Sequence, residues 1–253
     1  EKPVSEIMSK TIIPILAATP SEKVVWEFEN RDLLSAPVID DDKKLLGRIT
    51  VDDVVDVIRD EAEHSLMSAA GLDEEDDLFS PAAKSAKRRA IWLGVNLATA
   101  FLAASVVDIF QTTLDKIVLL AVLMPIVPSM GGVAGTQSLT IMTRAIALGH
   151  LDRINAKGIL RKEVLVGILN GLLWAIVVGS LTYLWFGEWL LGLVIAGAMT
   201  INLIVAAIAG FGIPLMLKKL NIDPALAGGV VLTTITDVVG YISFLGLGAI
   251  FLL

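Results

Sequence analysis

Cysteine is absent from this chain, so it has no disulfides and no thiolate metal ligands. Any metal it binds must be a hard cation held by oxygen. A phosphate-gripping Walker loop is also absent, so nothing marks the chain as an ATP-hydrolysing pump, and no enzymatic activity is expected. Nothing near the start reads as a signal peptide. The chain opens Glu1-Lys2-Pro3 without a methionine, as expected of a fragment of a longer protein. Positive charge is in deficit, with 20 Lys and Arg against 27 Asp and Glu and a net charge of −7, and no nucleic-acid partner is expected. Apolar residues are plentiful instead. They make up 55% of the chain, with a mean hydropathy of +0.75, above the norm for a soluble domain.

The acids concentrate in residues 1 to 77, while long apolar runs begin only after the basic patch Lys84, Lys87, Arg88 and Arg89. This predicts an α+β cytosolic domain over 1–70, an acidic linker and basic connecting helix over 71–90, and an all-α polytopic membrane domain over 91–253. In the first part "TIIPIL", "SAPVID" and "KLLGRIT" read as strands. One helix is capped by Thr19 with Pro20 at its first position, and another by Thr50. The order is strand, helix, strand, strand, helix. Asp53, Asp56, Asp60 and Glu63 fall on one helical face, where they repel unless a cation or a basic partner screens them. The run "DEEDD" at 73–77 adds to this acidity. A solvated acidic face and a cation-binding face both fit.

Five apolar stretches reach the roughly 20 residues a helical crossing needs: 91–109, 117–148, 164–186, 189–217 and 225–253. Basic residues mark one side. Lys84, Lys87, Arg88 and Arg89 precede the first stretch. Arg153, Lys157, Arg161 and Lys162 follow the second, and Lys218 and Lys219 follow the fourth. The amino terminus is therefore expected in the cytosol and the carboxyl terminus outside. Pro125 and Pro128 interrupt the second stretch, and Gly131, Gly132 and Gly135 follow. That pattern fits either an unwound segment beside water or a kinked helix packed through small residues.

Asp237 lies within "TTITDVV", 13 residues past Pro224 and so roughly 20 Å into the last span. An ionisable group at that depth faces a cavity or a partner by default. No second acid of comparable depth is visible, which argues against an intramembrane aspartyl protease with its carboxylate pair.

The first part, with "VSEIMSKTIIPI", "SAPVIDDDKKLLGRIT" and "VDDVVDVI", resembles one CBS domain over roughly 3–66. The resemblance implies that Gly47, Thr50 and Asp53 can hold an adenosine ribose and its phosphates. A capping box of Thr50 and Asp53 is the alternative. CBS domains normally work in pairs, so a partner is expected upstream or from another chain. The stretches "PSMGGVAGTQSLTIMTRAIA", "LRKEVLVGILNG" and "NIDPALAGGVVLTTITDVVGY" resemble the MgtE family of magnesium channels, and with the CBS domain the likeness covers almost the whole chain. It implies a homodimer of the bacterial inner membrane with five helices per subunit and a pore at the two-fold axis, where Asp237 binds hydrated Mg2+. Thr233, Thr234, Gly131, Gly132, Gln137 and Glu163 are the further pore residues it implies. Asp32, Asp53, Asp56 and Glu61 match regulatory Mg2+ acids that shut the pore through a plug helix near 79–90, while His64 stands where a carboxylate is expected. The family often carries asparagine where this chain has Val133 and Gly229, which leaves the choice among dications open.

The leading expectation is therefore a Mg2+ channel driven by membrane potential, inhibited by cytosolic Mg2+ and open to control by ATP or another adenine nucleotide. A proton-coupled or broader transporter of Co2+, Ni2+ or Mn2+ is the runner-up. A membrane-anchored adenylate sensor is a third reading, and it leaves Asp237 without a role.

Overall fold

The computed structural model describes residues 3, 12–72, 79–147 and 155–253. The opening "VSEIMSKT", the acidic run at 73–77 and Arg153 lie outside the described residues. The chain divides into two compact units, Glu1–Leu66 and Met67–Leu253.

In the first unit, β1 (Ile15–Leu16), α1 (Ser21–Arg31), β2 (Ser35–Ile39), β3 (Leu45–Thr50) and α2 (Val51–Ala69) follow in the expected order. Strand β1 pairs parallel to β2, with Ile15 beside Val38. Strand β3 runs antiparallel to β2, with Ala36 beside Ile49. Ile15, Val24, Phe28, Ala36 and Val54 form the core. Two boundaries differ from expectation. Strand β1 is shorter than "TIIPIL" because Pro14 has no N–H to give a ladder. Helix α1 starts at Ser21, since Pro20 keeps an extended ψ of 143° and only its carbonyl enters the helix, accepting from Lys23 and Val24 N–H at 3.0 and 3.1 Å. Asp32 closes α1 in the left-handed conformation, φ 50°.

The start of α2 is half a capping box. Asp53 Oδ2 accepts from the Thr50 N–H and from the Thr50 hydroxyl, both at 2.8 Å. The hydroxyl thus donates to Asp53, where a full box would have it accept a helical amide. Along α2, Arg59 reaches Asp56 at 3.8 Å and Asp60 at 3.7 Å. These pairs are exposed, so they relieve repulsion more than they stabilise.

In the second unit, five helical stretches are long and apolar enough to cross a bilayer. The first is α3 (Ala82–Ile109), in which the basic connecting segment and the first span form one unbroken helix. Short helices α4 (Gln111–Lys116) and α5 (Val118–Leu123) lead to α6 (Ile126–Ala147). Then come α7 (Ala156–Phe186), α8 (Trp189–Lys219) and α9 (Pro224–Phe251). The interruption in the second span is a two-residue turn at Met124 and Pro125. Helix α6 then runs unbroken through Pro128 and the three glycines, and Gly131 and Gly135, where a Cβ would stand less than 3 Å from Asn202 and Leu232, serve close packing.

Helix α8 is the most enclosed span and packs against α6, α7 and α9. Small residues set the spacing. A Cβ on Gly192 of α8 would stand 2.7 Å from the Gly179 carbonyl oxygen of α7, and one on Gly210 would stand 2.7 Å from that of Gly135. In hydrocarbon, where lipid tails are as apolar as side chains, such close backbone approach drives helix association.

Two outcomes follow. Gly210→Val overpacks the α6 and α8 crossing and costs about 1–3 kcal/mol, whereas Gly212→Ala, whose Cβ meets nothing within 4 Å, stays within about 0.5 kcal/mol. Denaturation in mixed micelles measures both, and equal stabilities would refute this packing. At the head of α2, the backbone bond and then the hydroxyl bond from Thr50 hold the Asp53 carboxyl below its usual range, with Arg48 adding attraction. A depressed folded pKa means that the cap stabilises the fold above the unfolded value of about 3.9 and fades as pH falls through the folded one. Thr50→Val therefore raises the Asp53 midpoint in a carboxyl NMR titration, and an unmoved midpoint would refute the hydroxyl's part.

Candidate functional site

Helix α9 begins cleanly. Pro224 takes the first helical position, and Asp223 Oδ1 accepts the Ala225 N–H at 2.9 Å. From there the helix carries Asp237 deep into the span. Its partner across the unit is α6. Pro128 lies against Gly240, Gly132 against Thr236, Gly135 against Leu232, and Leu139 against Gly228, so the two helices run antiparallel with Asp237 near the level of Gly131 and Gly132.

Asp237 is partly buried, and among the described residues no cation pairs with it. Around it the threonine hydroxyls have given their protons to the helix backbone. Thr233 Oγ1 donates to the Gly229 and Val230 carbonyls, both at 3.1 Å. Thr234 Oγ1 donates to Val230 at 2.7 Å, and the fully buried Thr236 donates to Thr233 at 3.1 Å. A hydroxyl so engaged keeps only acceptor capacity. Thr233 and Thr234 are partly exposed, so they can receive hydrogen bonds from water but cannot offer one. That suits the hydration shell of a cation, whose waters point their protons outward.

The other residues singled out in the sequence scatter around this centre. A Cβ on Gly132 would stand 3.9 Å from Thr236 Oγ1, within the site's level, while Gly131 is buried against Asn202 of α8. Gln137 is exposed on α6 near the level of Val230, about 10 Å along the axis from Asp237. Thr136 and Thr140 are exposed on the same helix. Glu163 is buried, and its Oε2 accepts the Ser138 hydroxyl at 2.7 Å, which ties α7 to α6 seven residues beyond Gly131. Val133 is exposed, and a Cβ on Gly229 would meet nothing within 4 Å, so both positions have room for the larger polar residue the family often has.

Asn202 was not apparent from the sequence. It is fully buried on α8, and its Nδ2 donates to the Val127 carbonyl at 2.8 Å. The one signal for it is a lone amide within an otherwise apolar stretch of α8.

In the first unit, Asp32, Asp53, Asp56 and Glu61 do not come together. Among the described residues no three acids or histidines cluster closely enough to hold a metal. A cavity of about 230 Å3 lies beside β1 and α1, lined by Ile15, Val24, Val38, Ile49 and Val57, with Thr19 and Ser21 as its polar members. Gly47, Thr50 and Asp53 are not among its lining residues. A Cβ on Gly47 would meet nothing within 4 Å, and Asp53 is engaged with Thr50.

Comparison with known proteins falls on these same two parts. Residues 124–247 match the MgtE family model, described as a divalent cation transporter, and residues 4–60 match the CBS domain model. The chain is 30% identical over 252 residues to the "Magnesium transporter MgtE" of Bacillus subtilis (strain 168), covering 100% of this chain and 56% of that protein. It is 31% identical over 249 residues to the protein of the same name in Enterococcus faecalis, covering 98% and 55%. With that of Thermus thermophilus the identity is 30% over 251 residues, covering 98% and 56%. The chain thus spans about half the length of the curated relatives it matches. With an α/β CBS domain ahead of five candidate membrane helices, the chain carries an MgtE-family transporter domain that reaches from the Met124 turn past Asp237.

Proposed function

We propose that the chain conducts Mg2+ across the bacterial inner membrane through a pore between two copies of itself, with the Asp237 of each copy facing the two-fold axis. The observation that carries this reading is Asp237, deep in a span with no cationic partner among the described residues. Burying a lone carboxylate is costly, and each copy brings one Asp237 to this level. Two such carboxylates carry the charge that balances one divalent ion. Mg2+ sheds water reluctantly and keeps several waters when bound, so a site with few direct ligands and several water acceptors suits it. Thr233 and Thr234 supply such acceptors, and the relatives are named magnesium transporters. A negative interior drives a dication inward by about 4.6 kcal/mol per 100 mV, twice the single-charge value.

In the same reading the amino-terminal side is cytosolic and its acids sense Mg2+. Asp32, Asp53, Asp56 and Glu61 do this against acidic surfaces of another domain or copy, because they do not assemble a metal site alone. Adenine nucleotide at Gly47, Thr50 and Asp53 is a further proposed control. The broader-dication reading draws on Val133 and Gly229, where amide oxygens are missing and space is open.

Flux into liposomes under a membrane potential tests the pore. Asp237→Asn lowers Mg2+ uptake by about tenfold or more, since one charge per chain is lost from a poorly solvated site; uptake equal to wild type would overturn the reading. Gly229→Asn restores an acceptor and raises the preference for Mg2+ over Co2+ by about two- to tenfold, the equivalent of one net hydrogen bond. An unchanged preference would leave the selectivity elsewhere. Millimolar Mg2+ protects the CBS region from protease in the wild type and not after Asp53→Ala with Asp56→Ala. Equal cleavage with and without Mg2+ would count against the sensor.

A further inference from the structure

We infer that Asn202 is the positioning residue of the ion site: its side-chain amide is a key between α6, α8 and α9 that fixes where Asp237 stands. This inference rests on the pore reading above and adds to it a residue that touches no ion.

Three features converge on this one amide. Its Nδ2 donates to the Val127 carbonyl at 2.8 Å, in the first turn after the Met124 and Pro125 break. Two glycines make room for it. A Cβ on Gly131 of α6 would overlap Nδ2 and stand 2.8 Å from Cγ, and a Cβ on Gly240 of α9 would stand 3.1 Å from Nδ2. Gly240 is three residues past Asp237, less than one helical turn. Its Cβ would also meet Pro128 at 2.9 Å. The amide therefore sets the height and separation of α6 against α9 within a turn of the carboxylate.

Stability alone does not account for an amide here. Asn202 is fully buried, and among the described residues no donor reaches its Oδ1. A buried polar atom without a partner is destabilising, and an apolar side chain of similar size avoids that cost. What leucine cannot do is bond Val127 and so register α6 to α8. The residue's worth then lies in geometry, as with other polar groups buried in membrane bundles. Hydrated Mg2+ is sensitive to such geometry because its octahedral shell does not deform readily.

Few titratable groups on the neighbouring helices complicate a test by pH. Helix α9 brings Asp237 and Tyr241, α7 brings Glu163 and Tyr183 with Lys157, Arg161 and Lys162 near its start, and α6 brings Arg144. The wild-type pH profile therefore serves as the baseline.

The test is Mg2+ flux into liposomes for wild type, Asn202→Leu, Asn202→Asp and Asp237→Asn. Asn202→Leu is expected to shift the half-saturating Mg2+ concentration and lower maximal flux, each by about two- to tenfold, as for one lost hydrogen bond. Asn202→Asp keeps the shape but can donate to Val127 only when its carboxyl carries a proton. Its flux should approach wild type at acidic pH and fall as pH rises, beyond any change in the wild type. Wild-type saturation in Asn202→Leu, or a wild-type pH profile in Asn202→Asp, overturns the inference. If Asn202→Leu does not survive purification, the Asn202→Asp profile decides alone. An inactive Asp237→Asn beside an unaffected Asn202→Leu sinks the inference and leaves the pore reading standing. A fully active Asp237→Asn sinks the pore reading itself.

Discussion

Hydrocarbon offers no water to a polar group, and that constraint shapes every part of the membrane unit. Each backbone group in a span must find its partner within the protein, so the hydroxyls of Thr136, Thr140, Thr233 and Thr234 turn back onto carbonyls of their own helices. The same constraint makes Asp237 costly, since nothing within its own chain pairs with it among the described residues. A carboxylate so placed is tolerable if something outside the chain meets it. A hydrated cation and a second copy would supply the missing charge balance and water.

The close contact of α6 and α9 follows from the same economy of space. Glycine and proline line the seam at Pro128, Gly132, Gly135, Gly228 and Gly240, so a single buried amide on α8 bonds α6 at Val127 and occupies the space a Cβ on Gly240 of α9 would crowd. On the other helices large apolar side chains dominate the exposed faces within the spans, with few polar ones such as Asn96 and Ser180. Ile176 and Leu184 of α7, and Leu97 and Phe101 of α3, are all open to the surroundings. Exposed polar side chains on α6 such as Thr136 and Gln137 therefore stand out, and together with the partly exposed Thr233 and Thr234 they mark the face that a second copy would cover.

Much of this was legible in the sequence because it rests on length and spacing. Five apolar runs of sufficient length gave five spans, and the alternation of short strands and helices before them gave the order of the CBS unit. Proline announced the break at Pro125 but not its extent, since Pro128, in the first turn of α6, and Pro214, inside α8, leave their helices unbroken. Pairings between distant residues were not legible. Ser138 donates to Glu163 from 25 positions away, and Asn202 reaches Val127 across 75. No local period encodes either. Glu163 was expected to line the pore, and its hydrogen bond shows a side chain turned toward α6. Pro14 and Pro20 moved their elements by a few residues because a lost donor and a fixed φ act against the local apolar pattern.

The central claim is that two copies meet across the α6 and α9 face with Asp237 between them. The chain has no native cysteine, so a single Thr233→Cys gives an unambiguous probe one turn from Asp237. Treated in liposomes with a short bis-maleimide, it should yield covalent dimers, while Leu184→Cys on the apolar face of α7 should remain monomeric on a denaturing gel. Dimers from Leu184→Cys, with none from Thr233→Cys, would contradict the account.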